Sequence, residues 1–145
     1  MYKKLEFIKE SDFEELIRLI TEFSVFEKLP EKMTNTLDQM KQEKDFIKGF
    51  VVRDNGKIVA YVTFFFAYYT WVGKSLYMDD LYVTQDYRGR GLGTLLIENV
   101  KRFAKDNGCK KLRWQISDWN KPAIGFYKSL GAEIDEVEMN CDLML

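Results

Sequence analysis

The feature that most limits how this chain can fold is a glycine-rich turn between a strand-like segment and an amphipathic helix. The turn spans residues 87–94 and follows a strand-like stretch at 76–84. Gly89, Gly91 and Gly93 leave the backbone open to a pyrophosphate, and a first helical turn adds unpaired N–H groups at the positive end of the helix dipole. We therefore expect an anionic cofactor at this turn.

The spacing of these glycines differs from that of two common nucleotide-binding motifs. A P-loop carries Gly-Lys-Ser/Thr after four intervening residues, but no lysine follows Gly93. The dinucleotide fingerprint is G-x-G-x-x-G, whereas this chain has G-x-G-x-G in mid-chain. The turn therefore predicts a different kind of phosphate-bearing cofactor.

Composition narrows the class of protein. A length of 145 residues, with 46% hydrophobic and 31% charged residues, predicts one globular domain over residues 1–145. The net charge of −1 gives no basic patch for nucleic acid or an anionic membrane, and we expect neither as a partner. The start of the chain lacks a signal-like apolar run, and no stretch approaches the length of a membrane span, so we expect a cytoplasmic protein.

The absence of histidine limits both metal binding and mechanism. Cys109 and Cys141 form no CxxC pair and no zinc-ligand spacing, so we expect no metal. Ser-His-Asp, Cys-His and HExxH chemistries are excluded, and any general acid or base must be Tyr, Asp, Glu, Lys, Cys or water.

Hydrophobic periodicity and turn residues predict an alternation of strands and helices. Ser11 and Glu14 fit a capping box, Asn55-Gly56 fits a hairpin turn, and Asn120 fits a helix cap. We expect Phe64, Phe65 and Phe66 to be buried in the sheet. The predicted strands cover 2–8, 50–53, 57–69, 75–84, 111–117 and 138–145, and the predicted helices cover 11–29, 35–48, 92–107 and 120–130.

Several motifs, in order along the chain, carry a resemblance to a known family. They are Arg88-x-x-Gly91-x-Gly93, the stretch TWVGKSLYMDDLYV at 70–83, DWNKPA at 118–123 and FYK at 126–128. Together they resemble the diamine (spermidine/spermine) acetyltransferases of the GNAT superfamily. The resemblance implies an α+β (α/β) GNAT fold with a mixed, mostly antiparallel central sheet, splayed between its fourth and fifth strands and flanked by helices.

The resemblance also implies acetyl-CoA as the acetyl donor and assigns residues to it. The pantetheine arm would lie along the fourth strand, pairing with its backbone as an added strand would. Tyr127 would be the general acid for the departing thiolate, and Asn120 would lie near the thiol. The implied cofactor-binding residues are Leu81, Tyr82, Val83, Arg88, Gly89, Arg90, Gly91, Leu92, Gly93, Thr94, Asn120 and Tyr127.

For the acceptor, the resemblance implies a primary amine of a small polyamine, diamine or amino-acid-like substrate. Asp79 and Asp80 match the family's acidic pair, where relatives often have Glu-Asp, and Glu27 fits a third acidic position. The family also implies a homodimer. Alternative functions are acetylation of a protein amino terminus, a lysine or an aminoglycoside, or acyl-CoA sensing without turnover.

The chemistry of such a transfer requires a proton acceptor. An alkylammonium with a pKa near 10.4 costs roughly 4.6 kcal/mol to deprotonate at pH 7, and nearby carboxylates raise that cost while they improve binding. Asp79, Asp80, Glu27 or water could accept the proton. Adjacent strand residues point to opposite faces, so Asp79 and Asp80 share one cleft only if a bulge intervenes. Trp71 is either a packing residue or a cation–π partner of the amine.

Overall fold

The computed structural model describes residues 3–145, which divide into two compact units, one ending at Gln115 and the other covering Ile116–Leu145. The first unit holds most of the regular structure and the whole sheet. Its strands are β1 (Lys3–Phe7), β2 (Lys48–Asp54), β3 (Lys57–Tyr69), β4 (Gly73–Val83) and β5 (Leu112–Arg113), and its helices are α1 (Phe13–Phe26), α2 (Leu37–Gln42) and α3 (Leu92–Asp106). The second unit contains α4 (Lys121–Ser129).

The five strands form one sheet in the order in which they occur along the chain. The first three pairings are antiparallel, whereas β4 and β5 are parallel. This last pairing joins only Leu76 and Tyr77 to Leu112 and Arg113, while β4 continues to Val83. The mixed sheet with an opening between its fourth and fifth strands is therefore as predicted.

Local turn chemistry explains the hairpin that joins β2 to β3. Asn55 and Gly56 both have positive φ values, 53° and 78°. A two-residue turn with this geometry matches the twist of the flanking strands, and Asn-Gly tolerates it best. Asp54 pairs with Lys57 across the turn, as the sequence predicted.

A β-bulge interrupts the pairing of β3 with β4. Val62 pairs with Leu81 and Phe64 with Met78, so Asp79 and Asp80 both lie opposite the single residue Thr63. The extra residue shifts the alternation of side chains between the two faces. The bulge on which a shared cleft depended is thus present.

Because of the bulge, Met78 and Tyr82 of β4 lie on opposite faces of the sheet. Phe64, the partner of Met78, lies 4.8 Å from the ring of Phe103 in α3. Beyond the bulge, Tyr82 stacks on Phe23 of α1 at 5.1 Å, and its strand partner Tyr61 belongs to the same core cluster. Fully buried residues of that cluster include Leu16, Val51 and Tyr61.

Some predicted elements differ from the structure. Ser11 does not open a capping box, because it lies within the 3₁₀ turn Glu10–Asp12 and Asp12 accepts the hydrogen bond from Lys9 N at 2.9 Å. The predicted helix at 35–48 shortens to α2 and a separate 3₁₀ turn, and the predicted strand at 111–117 shortens to β5. The predicted strand at 138–145 does not form. An alternation of apolar and polar residues is not enough for a strand, because the backbone groups also need a neighbouring strand to pair with.

Exposure corrects two predictions about aromatic residues. Phe64 is buried as expected, but Phe65 and Phe66 are 46% and 39% exposed. Trp71 is 98% exposed at the tip of the β3–β4 hairpin and is therefore not a packing residue. Among the helices of residues 3–145, none is both long and apolar enough to cross a membrane.

Candidate functional site

The glycine-rich turn begins where β4 ends and leads directly into α3. A 3₁₀ turn, Gln85–Tyr87, redirects the chain, and Gly89 and Gly91 then adopt positive φ values of 74° and 81°. Gly91 is the N-cap residue of α3. These two glycines are needed for the backbone conformation of the turn, because other residues are strained at such φ values.

Gly93 has a different role, because its backbone has no positive φ value. A side chain placed there would meet nothing within 4 Å, so packing does not require a glycine either. The helical ladder begins with Leu95 N donating to Gly91 O at 3.0 Å, which leaves the amides of the first turn outside it. An open surface next to these amides fits a phosphate-bearing ligand.

The two arginines of the turn point in different directions. Arg88 Nε donates to Val83 O at 2.9 Å, and its guanidinium lies 4.5 Å from the ring centre of Phe26 in the last turn of α1. Arg90 remains exposed, with its guanidinium over the ring of Tyr87 at 4.9 Å. Arg90 is therefore the better placed of the two for a phosphate, whereas Arg88 occupies a carbonyl at the end of β4.

Asp80 is the most perturbed carboxyl group at the bulge. Its Oδ2 accepts a hydrogen bond from Tyr61 Oη at 3.0 Å, and its backbone N donates to Thr63 Oγ1 at 3.1 Å. Burial and the negative charges of Asp79 and Glu27 raise the pKa of Asp80 to about 7, although the Tyr61 hydrogen bond lowers it. A carboxyl group with this pKa can exchange a proton near neutral pH.

Asp79 and Glu27 complete an acidic cluster with Asp80. Both raise the pKa of Asp80 through their charges, and burial raises the pKa of Asp79 itself. Glu27 is the residue directly after α1. The structure thus brings together the three acidic residues that the sequence singled out, and it leaves Trp71 at the far end of β4.

Tyr61 and Thr63 are members of this site that the sequence did not reveal. Both lie on β3, whose run of apolar and aromatic residues predicts only a buried strand. Tyr61 is fully buried, and a buried tyrosine usually needs a hydrogen-bond partner for its hydroxyl. This requirement could have pointed to Tyr61 as a polar residue of the core, but it does not identify Asp80 as the acceptor of its hydrogen bond.

Tyr82 forms a second set of polar contacts, on the side of the sheet that packs against α1. Its hydroxyl donates to Glu22 of α1 and accepts a weak contact from Arg88 at 3.5 Å. Burial and the Glu22 carboxylate raise the pKa of Tyr82 to about 12. With its ring buried and its hydroxyl bonded, Tyr82 can meet a cofactor arm through its backbone rather than its side chain.

The remaining predicted residues, Asn120 and Tyr127, belong to the second unit. Asn120 Oδ1 accepts from Ala123 N at 3.4 Å, which is the predicted helix cap, with Pro122 in the first turn. Tyr127 is 9% exposed, and its ring lies 5.4 Å from that of Phe126. Within residues 3–145, no group of three or more histidine, cysteine or acidic residues could hold a metal ion.

Comparisons with known proteins show the family of this chain. Residues 13–132 match the profile described as the acetyltransferase (GNAT) family. Thialysine N-epsilon-acetyltransferase from Bos taurus is 34% identical over 137 residues, covering 86% of this chain and 81% of that protein. Spermidine/spermine N(1)-acetyltransferase-like protein 1 from Homo sapiens is 28% identical over 142 residues, which is 90% of this chain and 20% of that protein.

A solved structure with the same fold is that of the aminoglycoside acetyltransferase meta-AAC0020 from an uncultured soil metagenomic sample, in complex with sisomicin. It superposes with a TM-score of 0.79 at 23% identity and covers 99% of this chain and 97% of its own. At this identity the likeness concerns the fold alone.

Proposed function

Because this chain belongs to the GNAT family of acetyltransferases, we propose that it transfers the acetyl group of acetyl-CoA to a primary amine of a small polyamine, diamine or amino-acid-like substrate. The observation that supports this function best is the acidic cluster of Glu27, Asp79 and Asp80 at the bulge of β4. The strand that carries the bulge leads directly into the glycine-rich turn. A cation site and an anion site therefore lie along one continuous segment.

The residues present fit acetyl-CoA at the glycine-rich turn. The open surface at Gly93 and the free first-turn amides of α3 would hold the pyrophosphate, with Gly89, Gly91 and Arg90 beside them. The edge of β4 at Leu81–Val83 would hold the amide-rich arm, once Arg88 releases the Val83 carbonyl. When bound, acetyl-CoA supplies an acetyl group activated as a thioester.

Asp80 accepts the proton of the amine in this proposal. An ammonium group enters the acidic cluster because its charge is attracted there, and Asp80 takes up one proton as the nitrogen approaches the carbonyl carbon. The C–N bond forms and the C–S bond breaks. Asp80 suits this role because its pKa of about 7 keeps a large fraction of the carboxyl group ionised at neutral pH while leaving it basic enough to accept a proton.

Tyr127 donates the proton that the sulfur requires. This assignment rests on the resemblance around Phe126-Tyr127-Lys128 and on the absence of histidine from the chain. A tyrosine hydroxyl can protonate a departing thiolate, and solvent then restores its proton. From the same resemblance we propose that both units form one GNAT domain and that the protein is a homodimer. We also propose that it is cytoplasmic, because Cys109 and Cys141 are both free and fit a reduced compartment.

The proposed function is tested by following CoA thiol release with acetyl-CoA and a panel of amines that includes spermidine, putrescine, thialysine and lysine. We expect release that depends on both substrates, with the acetylated amine identified by mass spectrometry. Calorimetric binding of acetyl-CoA without release for any amine would indicate a sensor instead. Release only with an aminoglycoside or a peptide amine would assign a different acceptor.

A further inference from the structure

A tyrosine at the start of the glycine-rich turn is attached to the sheet by a buried carboxylate. Tyr87 ends the 3₁₀ turn that follows β4, and its Oη donates to Asp54 Oδ2 at 2.6 Å. Asp54 is the last residue of β2 and is only 2% exposed. This hydrogen bond is the largest cause of the raised pKa of the Tyr87 hydroxyl. The end of β2 therefore holds the beginning of the turn through a side-chain contact.

The burial of Asp54 is unfavourable for the stability of the fold. Its Oδ1 is buried and has no hydrogen-bond partner among the groups that the structure describes. A buried carboxylate with one unsatisfied oxygen costs free energy, so stability alone does not favour an aspartate at this position. The hydrogen bond to Tyr87 supplies a reason for Asp54 that the packing of the core does not.

The ring of Tyr87 in turn supports an arginine of the glycine-rich turn. The guanidinium of Arg90 lies over this ring, 4.9 Å from its centre. A contact with a ring face uses none of the N–H donors of a guanidinium, and a phosphate can accept two such donors at once. Because Arg90 is exposed, a ligand at the turn can reach these donors.

The backbone on each side of Arg90 does little to fix its side chain. Arg90 lies between Gly89 and Gly91, and glycine has more conformational freedom than any other residue. A long side chain on such a backbone loses entropy when it binds a ligand. A ring that is itself held in place reduces this loss, because it orders the guanidinium before the ligand binds.

We propose that Asp54 and Tyr87 are positioning residues for acetyl-CoA: Asp54 fixes the ring of Tyr87, and the ring keeps the Arg90 guanidinium in place to bind a phosphate group. Asp54 and Tyr87 act only through Arg90. Asp54 lies 33 residues before Tyr87 and outside the glycine motif. This inference rests on the proposed function, since it concerns the affinity for the acetyl donor.

Calorimetric titration with CoA tests the inference without requiring turnover. Arg90→Gln should weaken CoA binding by about 10-fold, because a charge-assisted hydrogen bond is lost. Tyr87→Phe keeps the ring but releases it from Asp54, so it should weaken binding by about threefold. Asp54→Ala should have the same effect as Tyr87→Phe. Asp54→Asn keeps an acceptor for the Tyr87 hydroxyl and should bind CoA with the affinity of the parent.

A double-variant cycle tests whether Tyr87 acts through Arg90. In a protein that already carries Arg90→Gln, adding Tyr87→Phe should weaken CoA binding by less than about 1.5-fold. Arg102→Gln, which removes an exposed arginine farther along α3, is the control and should leave CoA affinity unchanged. Additive losses from Tyr87→Phe and Arg90→Gln, or an unchanged affinity in Arg90→Gln, would overturn the inference.

Dephospho-CoA identifies which phosphate group Arg90 binds. It lacks the 3′-phosphate but keeps the pyrophosphate. If Arg90→Gln weakens the binding of CoA and dephospho-CoA by the same factor, Arg90 binds the pyrophosphate. If the variant weakens the binding of CoA alone, Arg90 binds the 3′-phosphate. Either result supports a phosphate contact.

S-acetylpantetheine separates a phosphate contact from a general disturbance of the turn, because this donor carries no phosphate. Arg90→Gln and Tyr87→Phe should change its kcat/KM by less than about twofold, and should change kcat at saturating acetyl-CoA equally little. A loss with S-acetylpantetheine as large as that with acetyl-CoA would overturn the inference. If no amine is acetylated while the calorimetric results hold, only the proposed function fails.

Discussion

At the scale of single residues, the Asp80 carboxyl group shows how the site tunes a proton acceptor. Burial and two neighbouring carboxylates favour its neutral form, whereas the hydrogen bond from Tyr61 favours its ionised form. These opposing effects leave the pKa of Asp80 at about 7. Without Tyr61, the same carboxyl group would hold its proton more tightly and would be less available at neutral pH.

The pH dependence of the reaction should report this balance. Because Asp80 must be ionised to accept the amine proton, kcat/KM should rise with pH through a limb near 7. Tyr61→Phe removes the hydroxyl that stabilises the carboxylate, so the limb should move to higher pH. The measurement is a pH–rate profile with saturating acetyl-CoA.

A matched control for this profile is Tyr87→Phe. Tyr87 Oη donates to Asp54 Oδ2 at 2.6 Å, so this variant also removes a tyrosine–carboxylate hydrogen bond, but one outside the acidic cluster. In Tyr87→Phe, kcat/KM should rise over the same pH range as in the parent protein. A limb that does not move in Tyr61→Phe, or that moves equally in both variants, would contradict a role for Tyr61 in setting the pKa of Asp80.

Tyr127 should affect turnover rather than binding. Tyr127→Phe keeps the ring that is packed beside Phe126 and removes only the hydroxyl. Loss of a positioned proton donor costs about 10²- to 10⁴-fold in rate, so kcat should fall by that factor while acetyl-CoA affinity, measured by calorimetry, stays nearly the same. A kcat within about threefold of the parent, with chemistry rate-limiting, would assign the proton to water and leave Tyr127 a packing role.

At the scale of secondary-structure elements, α3 combines a stable helix with an open amino-terminal turn. Leu92, Leu96, Ile97 and Val100 are buried on one side of the helix, while Gly93 places no side chain in the open space beside its first turn. Glycine is a poor helix former, about 1 kcal/mol worse than alanine. Its presence at a position without backbone or packing constraint therefore favours a ligand contact as the reason.

Gly93→Leu separates these two explanations. The substitution should leave the melting temperature unchanged or slightly higher, because helix propensity improves and no neighbour lies within 4 Å. Acetyl-CoA binding should fall below detection by calorimetry, since the new side chain fills the space next to the first-turn amides. Glu98→Leu, at an exposed position farther along α3, is the control and should bind acetyl-CoA with the affinity of the parent. If the affinity of Gly93→Leu for acetyl-CoA is also unchanged, the cofactor does not bind at this turn.

The bulge in β4 marks where prediction from the sequence stopped. Turn residues act locally, so Asn55-Gly56, the glycine-rich turn and the Asn120 cap were all predictable from a few neighbouring residues. The bulge depends on how β4 pairs with Thr63 of the neighbouring strand β3. From the sequence one could say only that Asp79 and Asp80 share a cleft if a bulge is present. For the same reason, alternation alone could not show that β5 covers only two residues or that residues 138–145 form no strand.

At the scale of the whole molecule, the site depends on contacts between residues far apart in the chain. Glu27 follows α1, Tyr61 belongs to β3 and Asp80 to β4, and only the folded first unit brings them together. The acidic residues could be named in advance because the resemblance matched them to the family's acidic positions, and two aspartates are also unusual in a strand, whereas Tyr61 had no such signal. Gathering carboxyl groups in a partly buried cluster works against stability.

The cost to stability gives a prediction for the whole fold. Burial and neighbouring charges raise the pKa of Asp80 to about 7 in the folded state, compared with about 3.9 in an unfolded chain. The folded state therefore binds the proton more tightly, and its stability advantage is present below pH 3.9 and is lost as the pH rises through 7. Asp80→Asn mimics the neutral form and keeps an oxygen for the Tyr61 hydroxyl.

Asp80→Asn should accordingly stabilise the fold at pH 8 by roughly 1 to 4 kcal/mol and change its stability little near pH 4. Urea unfolding at both pH values measures the difference, and the same variant should lose acetyl transfer because it cannot accept a proton. Asp45→Asn, at an exposed position in a 3₁₀ turn, is the control and should change stability by less than about 0.5 kcal/mol at either pH. If Asp80→Asn stabilises the fold equally at pH 4 and pH 8, the pKa of the carboxyl group does not change on folding. If the variant is less stable than the parent at pH 8, the carboxylate supports the fold instead of serving the reaction.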